Sequence, residues 1–539
     1  MRTDQTLPIV WSISGHDSGG GAGLSADQRA AEAMGVHLCP VLSCVTAQNS
    51  LGVQALHPVP LEQLEAQLCA LAEDMPPNAI KTGLLASTAA ISLVARWVSK
   101  LRERKPRLPL VVDPVLGATA GGAAFSDEAI LEAYRGQLLP LATLVTPNQA
   151  EARRLLERSA AHGGGASQAP QWAADLRGLG AASAVITGGD DQNPDWALDW
   201  LDTPPHAQGW LSLPRIPTPH HHGSGCTFAT AAAAALALGH VAADAVVLAK
   251  MLTAQALSHA SAAGQGAGPV RASPGQPLGP IPLLGLGQAL PWQVSHSQGA
   301  HRPLFMPFET PHDGLYGILA DSQQLLAARR AGLSCLQLRY KSGPKLLDHI
   351  AASVSASAQP GTQLFINDHW QQVLALKGLH AARPGKWGLH LGQEDLLALD
   401  EAARAHLLSA RHHLMLGVSS HSVWELARAA GCGASLIACG PVQATTTKDM
   451  PWRPQGEHNL RWWVAHSPAP VVAIGGILEA ADVQRFAACG PAAVGVVRGL
   501  GNTEADMRQR LPPLRDAFAQ AQRHLHAAPH AVFLPQPVL

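Results

Sequence analysis

The stretch His222-Gly223-Ser224-Gly225-Cys226-Thr227 stands directly before an alanine-rich run from Ala229 to Leu238. Glycines at positions 223 and 225 allow a tight turn and let a ligand approach the backbone closely, and alanine favours a helix after that turn. A helix that begins at a glycine loop points backbone N–H groups and the positive end of its dipole at one place. The stretch therefore predicts an anion-binding loop, with a phosphoryl group as its ligand.

Cys226 lies in this loop, where its thiol is expected to face the bound anion. A helix N-terminus usually lowers the pKa of a thiol, so the sequence predicts a reactive cysteine. The alternative is a glycine-capped helix in which Cys226 is only a small apolar residue. Short glycine motifs have many false positives, so this stretch alone leaves both interpretations open.

The chain has 539 residues, more than one hydrophobic core usually holds, so we expect two or more domains. Its formal net charge is −1 and charged residues make up 14%, which argues against a nucleic-acid partner. We expect no signal peptide and no membrane span, and eight cysteines without CxxC pairs indicate reduced thiols. These features predict a cytoplasmic protein that acts on small molecules, and they leave its oligomeric state open.

Short apolar strands alternate with helical stretches through the first half of the chain. The first strand, Ile9–Gly15, runs into a glycine-rich turn at residues 15–23 and a helix from about Gln28, which is the opening βα unit of an α/β sheet. The P-loop pattern GxxxxGK[ST] is absent. Further strands with their polar ends are predicted at Val36–Cys44, Ala79–Leu85, Leu110–Val115, Leu144–Asn148 and Ala184–Asp190, with a hairpin at 196–201 and 209–216. This alternation predicts an α/β, three-layer αβα domain with a mostly parallel sheet.

Five motifs in this half occur together in one order. They are Gly15-His16-Asp17 with the glycines at 19–23, residues 45–49, Val112-Asp113-Pro114, Thr146-Pro147-Asn148 with Glu151, and residues 223–227. The set resembles the hydroxymethylpyrimidine and hydroxymethylpyrimidine-phosphate kinases of thiamine biosynthesis, which have a ribokinase-like fold, over about residues 8–265. The resemblance implies that ATP phosphorylates 4-amino-5-hydroxymethyl-2-methylpyrimidine and then its monophosphate, giving the diphosphate.

The resemblance also implies roles for individual residues. The pyrimidine would be bound by Asp27 and Gln48, since a carboxylate accepts from an amino group and an amide both donates and accepts. Magnesium, which prefers oxygen ligands, would be held by Asp113 and Glu151. The catalytic anion hole would comprise Gly223, Ser224, Gly225 and Cys226, and ATP would be contacted by Asn148, Lys81 and Gly188. Cys226 would take the position at which related sugar kinases carry an aspartate base.

Taken singly, several of these residues have structural explanations. Asp27 suits the first turn of a helix, Asp113-Pro114 suits a turn, and Glu151 suits an exposed helix face. Thr187 stands where the family often has a lysine, and losing that cation would weaken the binding of nucleotide phosphates. The ordered set of motifs nevertheless favours the functional interpretation.

A change of composition marks the middle of the chain. Residues 266–311 are rich in proline and glycine without any sustained period, which predicts a linker between a domain at 1–265 and another at 312–524. The last residues, 525–539, are predicted to be a loosely ordered tail. Eight strands are expected in the second domain, at 315–320, 335–341, 363–368, 388–392, 413–420, 434–441, 470–477 and 492–500. Eight βα units in this length predict a C-terminal (β/α)8 TIM barrel.

The predicted strands of the second domain end in polar residues, where such barrels carry their function. The motifs resemble thiamine phosphate synthase over about residues 312–520, which implies that the pyrimidine diphosphate loses pyrophosphate and is captured by a thiazole phosphate. The pyrimidine diphosphate would be bound by Gln337, Arg339, Lys341, Asn367, Ser419 and Lys448, Mg²⁺ by Asp368 and Asp395, and the thiazole phosphate by Thr445, Thr447, Gly476 and the backbone near Arg498. Cations and a metal would stabilise the leaving pyrophosphate.

Two positions depart from the synthase pattern. Ala444 stands where proline is usual, which predicts a less rigid loop, and Arg498 stands where serine is common. We interpret the chain as a bifunctional transferase, a kinase joined to a thiamine phosphate synthase. The alternatives are a kinase joined to a thiazole-tautomerase-like or non-catalytic ligand-binding barrel, and a first domain that is a pyridoxal kinase. The sequence does not determine the orientation of the domains.

Overall fold

The computed structural model describes residues 6–117, 125–157, 166–189, 193–296, 303–341, 343, 345–375, 385–445, 451–524 and 534–539. The chain forms two compact units, one of residues 1–282 and 287–289 and the other of residues 283–286 and 290–539. The stretch predicted as a linker is packed where it begins, because the Val270 N–H donates to the His222 carbonyl (3.0 Å) and the Gly279 N–H to that of Met251 (3.1 Å).

The first unit contains one mixed sheet. Its strands are β1 (Ile9–Asp17), β2 (His37–Asn49), β3 (Gly52–Pro58), β4 (Ala79–Thr82), β5 (Leu110–Val112), β6 (Leu144–Val145), β7 (Ala184–Ile186), β8 (Trp196–Thr203) and β9 (Ala207–Pro214). Their order is β9-β8-β7-β6-β5-β4-β1-β2-β3. Strands β2, β1 and β4 to β7 are parallel, whereas β3 and the β8–β9 hairpin are antiparallel. The predicted α/β sheet and its hairpin are thereby confirmed.

Helices cover both faces of this sheet, as the predicted three-layer arrangement requires. They are α1 (Gly23–Ala33), α2 (Leu61–Asp74), α3 (Thr88–Arg104), α4 (Glu128–Ala133), α5 (Gln149–Leu155), α6 (Ala169–Gly178), α7 (Ser224–Ala237) and α8 (Ala242–Ser258), with single turns at Tyr134–Leu138, Leu139–Leu141 and Ala166–Gln168. The central strands β4 to β7 are buried at every residue, which explains why they appear in the sequence as short apolar runs.

Two boundaries in this unit differ from the sequence-based expectation. Strand β3 was not predicted, because it is half-exposed and lacks an alternating apolar pattern. Helix α1 begins at Gly23 rather than near Gln28, since the end of the glycine-rich turn already forms its first turn.

The second unit is a closed barrel of eight parallel strands, so the predicted TIM barrel is confirmed. The strands are β11 (Leu315–Leu319), β12 (Cys335–Leu338), β13 (Gln363–Asn367), β14 (Lys386–Leu391), β15 (Met415–Ser420), β16 (Leu436–Cys439), β17 (Val471–Ala473) and β18 (Ala493–Val496), preceded by the short β10 (Leu283–Leu284). Side chains such as Tyr316, Phe365 and Met415 fill the barrel. Strand β12 ends at Leu338 rather than at the predicted residue 341, so Arg339 and Lys341 follow the strand instead of lying within it.

Helices surround the barrel strands and connect them. They are α9 (Trp292–His296), α10 (Ser322–Arg330), α11 (Leu346–Ala356), α12 (Trp370–Ala375), α13 (Gln393–Ala398), α14 (Glu401–Ser409), α15 (Val423–Gly431), α16 (Gly456–His466), α17 (Ala480–Ala487) and α18 (Glu504–His524), with one 3-10 turn at Arg498–Leu500. Residues 534–539 pack against the barrel, with Val538 only 3% exposed, so this part of the predicted tail is not loosely ordered. None of the helices in the described ranges has the length and apolar character needed to span a membrane.

Candidate active sites

A cavity of about 670 Å³ opens at the carboxyl ends of the parallel strands in the first unit. This is where α/β sheets usually bind ligands, and the volume suits a small molecule. Eight of the predicted site residues line the cavity: Gln48, Asp113, Asn148, Glu151, Gly223, Ser224, Gly225 and Cys226. The fold therefore brings together residues that lie up to 178 positions apart in the chain.

The glycine loop before α7 has the geometry of an anion-binding turn. Gly223 adopts φ +84°, a conformation that favours glycine, and a Cβ atom there would lie 2.2 Å from the Gly21 carbonyl oxygen. The loop therefore packs directly on the glycine-rich turn after β1. Helix α7 follows at once, so its first N–H groups point toward the cavity.

Asp17 and His222 connect these two glycine loops, although neither was predicted as a site residue. The Asp17 carboxylate accepts hydrogen bonds from the N–H groups of Gly19 (2.8 Å) and Ala22 (2.8 Å), and His222 Nε2 lies 2.9 Å from its Oδ2. Burial raises the pKa of Asp17, but the hydrogen bonds from His222 and the backbone outweigh this effect and lower the pKa overall. Because an ionised carboxylate only accepts hydrogen bonds, His222 Nε2 carries the hydrogen.

His222 also touches Gln48, a predicted pyrimidine ligand. Its Nε2 lies 3.3 Å from the amide nitrogen of Gln48, and Thr46 Oγ1 lies 3.3 Å from the amide oxygen. The hydrogen on His222 Nε2 is donated to Asp17, so this nitrogen does not accept a hydrogen bond from the Gln48 amide. The Thr46 hydroxyl therefore restrains the Gln48 side chain, which lines the cavity. The signal available in the sequence was His222 itself, the last of three histidines before the glycine loop.

Asp27 and Lys81 lie beneath the cavity rather than in its lining, which does not fit their predicted ligand-binding roles. Both side chains are fully buried, and Lys81 Nζ lies 2.9 Å from Asp27 Oδ2. Asp27 also accepts hydrogen bonds from the hydroxyls of Ser12 (2.6 Å) and Thr230 (2.7 Å). Burial disfavours the charged amine of Lys81, yet the neighbouring Asp27 raises its pKa overall, so the pair is ionic.

The structure corrects the expectation of a reactive Cys226. Part of the residue is exposed, but its thiol is surrounded by protein, and this burial raises its pKa to about 12. The nearby Lys81 lowers the pKa, while Asp27 and Asp113 raise it. Desolvation of a thiolate therefore outweighs the helix N-terminus, and Cys226 is an uncharged thiol at neutral pH.

Asp113 has the properties of a cation ligand or proton acceptor. It is 5% exposed, lines the cavity, and its Oδ2 has no hydrogen-bond partner among the described residues. Burial raises its pKa to about 6, Lys81 at 3.9 Å opposes that rise, and Asp27 adds to it. A buried carboxylate oxygen of this kind needs a partner, which fits the predicted Mg²⁺ site.

Asn148 and Glu151 form a capping box at the start of α5. The Asn148 N–H donates to Glu151 Oε2 (2.9 Å), and the Glu151 N–H donates to Asn148 Oδ1 (2.9 Å). Glu151 is therefore not merely a solvated helix residue, since it fixes the helix start and lines the cavity. Across the described residues no cluster of three or more His, Cys, Asp or Glu side chains has metal-binding geometry, but Mg²⁺ is usually held by one or two carboxylates together with substrate phosphates.

The loop at Thr187 is held by residues that sequence reasoning missed. The Gly188 N–H, predicted to contact ATP, instead donates to Asp199 Oδ1 (2.9 Å), and Asp199 Oδ2 accepts from Lys250 Nζ (2.7 Å). Thr187 lines the cavity, as do Asp199 and Lys250, whereas Gly188 does not. Lys250 thus brings a cation, paired with Asp199, to the cavity wall. Its signal in the sequence is a single basic residue inside the largely apolar helix α8.

In the second unit, predicted site residues gather at the carboxyl ends of β12 to β15. The side-chain amide of Gln337 donates to Asn367 Oδ1 (2.6 Å). Burial raises the pKa of Asp368 to about 6, and the charge of Asp395 and a hydrogen bond between the two carboxyl groups add to that rise. Two carboxyl groups that share a proton form a site that a divalent cation fits.

The remaining predicted residues at this end of the barrel have different surroundings. Ser419 Oγ lies 2.9 Å from His390 Nε2, and burial lowers the pKa of His390 to about 4, assisted by the charge of Arg339. Lys341 is exposed. The positive charge of Arg339 also lowers the pKa of Asp368, although less than burial raises it.

Gly476 contacts the loop that follows β16. Both Gly475 and Gly476 have positive φ, and the Gln443 side-chain amide donates to the Gly476 carbonyl (2.5 Å). Thr445 lies in this loop and is partly buried, whereas the predicted ligands Thr447 and Lys448 fall outside the described residues. Two glycines with this conformation allow the close backbone approach that a phosphate site needs.

Comparison with known proteins matches each unit to a family. Residues 17–271 match the phosphomethylpyrimidine kinase family and residues 318–500 the thiamine monophosphate synthase family. A probable chloroplastic thiamine biosynthetic bifunctional enzyme of Oryza sativa subsp. japonica is 33% identical over 485 residues, which cover 87% of this chain and 81% of the relative. A hydroxymethylpyrimidine/phosphomethylpyrimidine kinase of Synechococcus elongatus is 39% identical over 264 residues, covering 49% of this chain and 97% of the relative.

Among solved structures, an ADP complex of Bacillus subtilis pyridoxal kinase has a TM-score of 0.44 and 30% sequence identity. That match covers 50% of this chain and 98% of the kinase.

Substituting Asp27 should affect stability rather than substrate affinity. In Asp27→Ala the buried Lys81 charge loses its partner, so we expect the free energy of unfolding to fall by about 3–5 kcal/mol. Gln48→Ala is the matched control, and it should leave unfolding nearly unchanged while raising KM for the pyrimidine. Denaturant unfolding and initial-rate kinetics measure both. An Asp27→Ala protein as stable as wild type, with a raised KM, would instead support direct binding by Asp27.

Asp113→Asn should make the first unit more stable at alkaline pH and less active as a kinase. Burial raises the folded-state pKa of Asp113 from 3.8 to about 6. The contribution of the protonated Asp113 side chain to the free energy of unfolding is therefore complete below pH 3.8 and is lost as pH rises through about 6. Above that pH the buried carboxylate destabilises the fold by up to about 3 kcal/mol. Unfolding at pH 5 and pH 8 measures the difference. Equal stability of variant and wild type at pH 8 would contradict the expectation.

Proposed function

Because the chain belongs to the family of bifunctional thiamine biosynthetic enzymes, we propose that its first unit acts through the cavity residues described above and its second unit through the residues at the barrel end. The chain is a thiamine biosynthesis enzyme with a hydroxymethylpyrimidine and phosphomethylpyrimidine kinase domain and a thiamine phosphate synthase domain. These similarities do not favour a tautomerase-like or non-catalytic barrel, or a pyridoxal kinase in the first domain. Cytoplasmic localisation stays a prediction, and the oligomeric state, for which the sequence allows a homo-oligomer, stays open.

In the kinase domain, Gln48 would recognise the pyrimidine. Its amide carries both a donor and an acceptor, which match the amino group and ring nitrogen of the substrate. The Thr46 hydroxyl lies 3.3 Å from the amide oxygen, and this contact favours one orientation of the amide and of the ring bound to it. The hydroxymethyl group would then face the loop of residues 223–226.

The transferred phosphoryl group would be stabilised by the N-terminus of α7. Phosphoryl transfer depends mainly on positioning and charge stabilisation, and the N–H groups at this helix start suit both. A thiolate at Cys226 would repel the incoming negative charge. Because burial raises the thiol pKa to about 12, Cys226 carries no negative charge at neutral pH. We therefore propose that Cys226 lines the site as an uncharged thiol and does not act as a base.

ATP and Mg²⁺ would occupy the remainder of the cavity. Apolar side chains line it and suit an adenine ring, including Leu213 in β9, Ile216 in the loop after β9 and Leu257 in α8. Lys250 adds a cation near Thr187, where the family often has a lysine. Asp113 would hold Mg²⁺, with the Asn148–Glu151 pair orienting it through solvent or phosphate; the metal supplies charge neutralisation for the phosphates.

In the synthase domain, the paired carboxyl groups of Asp368 and Asp395 would hold Mg²⁺ on the pyrimidine diphosphate. Gln337 and Asn367 would bind its pyrimidine, and Arg339, Lys341 and Lys448 its phosphates. Ser419 would contact the same substrate, while Thr445, Thr447 and Gly476 would hold the thiazole phosphate. A divalent cation and these positive side chains stabilise a departing pyrophosphate. The observation that carries the proposal is the convergence of the predicted residues on one cavity in the first unit and on one barrel end in the second.

The two activities should separate in a coupled assay. Wild-type protein with hydroxymethylpyrimidine, thiazole phosphate, ATP and Mg²⁺ should release thiamine phosphate and pyrophosphate. Gln48→Ala should lose flux that supplied pyrimidine diphosphate restores, because only substrate recognition by the kinase is impaired. Asp368→Asn should not be restored in that way. If the wild type accumulates pyrimidine diphosphate but forms no thiamine phosphate, the kinase activity is supported and the synthase role is contradicted.

Cys226→Ser should keep the kinase rate within about tenfold of wild type, because an uncharged hydroxyl replaces an uncharged thiol and tenfold corresponds to only ~1.4 kcal/mol. The pH profile of wild-type kcat should show no thiol ionisation between pH 6 and about 9, given the burial that raises the thiol pKa. A rate that falls a thousandfold or more in the serine variant, together with a wild-type ionisation that the variant lacks, would restore the base assignment.

A further inference from the structure

Residues 534–539 make a regular set of hydrogen bonds with the loop and helix that follow barrel strand β16. His458 Nε2 donates to the Leu534 carbonyl (2.7 Å). The Asn459 side chain bonds the Gln536 backbone twice, donating to its carbonyl (3.0 Å) and accepting from its N–H (2.7 Å). The Arg453 N–H donates to the Val538 carbonyl (2.8 Å). Both sides of this contact belong to the second unit.

The sequence of this segment suits the contact. The bonded residues are at positions 534, 536 and 538, and prolines occupy 535 and 537 between them. Proline has no N–H to leave unsatisfied, and a Pro-x-Pro segment is already extended, which reduces the entropy lost on docking. Pro535 and Val538 are buried while the Gln536 side chain is exposed, so the segment docks one face and leaves the other in solvent.

The hydrogen bonds continue from this segment to the mouth of the barrel. Asn459 is 1% exposed, and its amide also donates to Gln455 Oε1 (3.0 Å). Gln455 in turn donates from its side chain to the His421 carbonyl (2.6 Å) and from its N–H to the Pro441 carbonyl (2.8 Å). His421 directly follows β15, and Pro441 lies two residues after the end of β16.

These two points flank predicted ligands of the synthase site. Ser419 lies in β15 two residues before His421, and Thr445 lies four residues after Pro441. Trp452 adds a second attachment, because its ring stacks on that of His421 with centroids 5.5 Å apart and planes inclined by 11°. Residues 452–455 are therefore attached to the strand ends, and residues 534–539 bind Arg453 in this stretch and Asn459 in α16.

We propose that residues 534–539 form a clasp that holds residues 453–459 and, through Gln455, positions the ends of β15 and β16 for the synthase reaction. This inference rests on the function proposed above for Ser419 and Thr445, which lie beside those strand ends. Strand ends that are already held lose less conformational entropy when a phosphate binds, and Ala444, in place of the usual proline, supplies none of that rigidity itself. The clasp contacts no substrate, so it acts on substrate affinity more than on the chemical step.

Deleting residues 534–539 from the full chain tests the clasp. With supplied pyrimidine diphosphate, KM for the thiazole phosphate should rise by about tenfold, the effect of ~1.4 kcal/mol of lost preorganisation, with a smaller change in kcat. The kinase rate of the same preparation should not change, which controls for protein concentration and folding of the first unit. A deletion variant with wild-type KM would overturn the proposal, even if its barrel unfolded at a lower temperature.

Position 536 offers a matched pair of single substitutions. Gln536→Ala removes only an exposed side chain and keeps both backbone hydrogen bonds, so it should behave as wild type. Gln536→Pro removes the N–H that Asn459 Oδ1 accepts, so it should raise KM in the same direction as the deletion. Equal KM values for the two variants would overturn the role assigned to the Asn459 contact.

Adding the segment back distinguishes positioning from general stabilisation. An excess of the peptide Leu-Pro-Gln-Pro-Val-Leu should lower the raised KM of the deletion variant, and a scrambled peptide should not. Hydrogen exchange of the amides at 451–459 should be faster in the deletion variant than in wild type, and unchanged exchange would contradict the clasp. Hydrogen exchange needs no turnover, so it tests the clasp independently of the proposed function. A wild-type protein that forms no thiamine phosphate would overturn the proposed function alone.

Discussion

Both sites depend on one constraint of parallel β-structure, namely that neighbouring strands end at the same edge. In the first unit β1 and β4 to β7 bring their carboxyl ends together, and in the barrel all eight strands do so. Polar residues that follow separate strands therefore meet without any local sequence signal joining them. Asp113 and Asn148 share a cavity for this reason, as Asn367 and Ser419 share a barrel end.

Charge compensation beneath the first site is a second requirement. The Asp27–Lys81 pair ties α1 to β4, and the hydroxyls of Ser12 and Thr230 bring β1 and α7 to the same carboxylate. Four elements in or next to the cavity wall, α1, β1, β4 and α7, are thus attached to one buried ion pair. Such a pair adds little net stability, but removing one partner is costly, so it fixes the arrangement of these elements. The same burial raises the pKa values of Asp113 and Cys226.

In the barrel, the site depends on close backbone approach and on paired carboxyl groups. Gly475 and Gly476 adopt positive φ where they pass Pro441 and Gln443, and a side chain at either position would collide with that neighbouring loop. Asp368 itself has φ +67°, an uncommon conformation for a residue other than glycine and one often found at functional sites. Among the described barrel residues Asp368 is the one residue other than glycine with positive φ, and it directly follows β13 at the end of the barrel that carries the site.

The sequence by itself determined the fold class of both domains, because apolar strands alternating with helices and ordered motifs are local signals. It also indicated eight of the residues that line the first cavity, including Gln48 and the loop at 223–226. Only the tertiary structure decided that Asp27 and Lys81 neutralise each other below the cavity and that Cys226 stays protonated. It alone revealed Lys250 in the cavity wall and the docked segment at 534–539. The physical reason is that desolvation and pairing depend on neighbours distant in the chain, which periodicity and motif spacing do not encode.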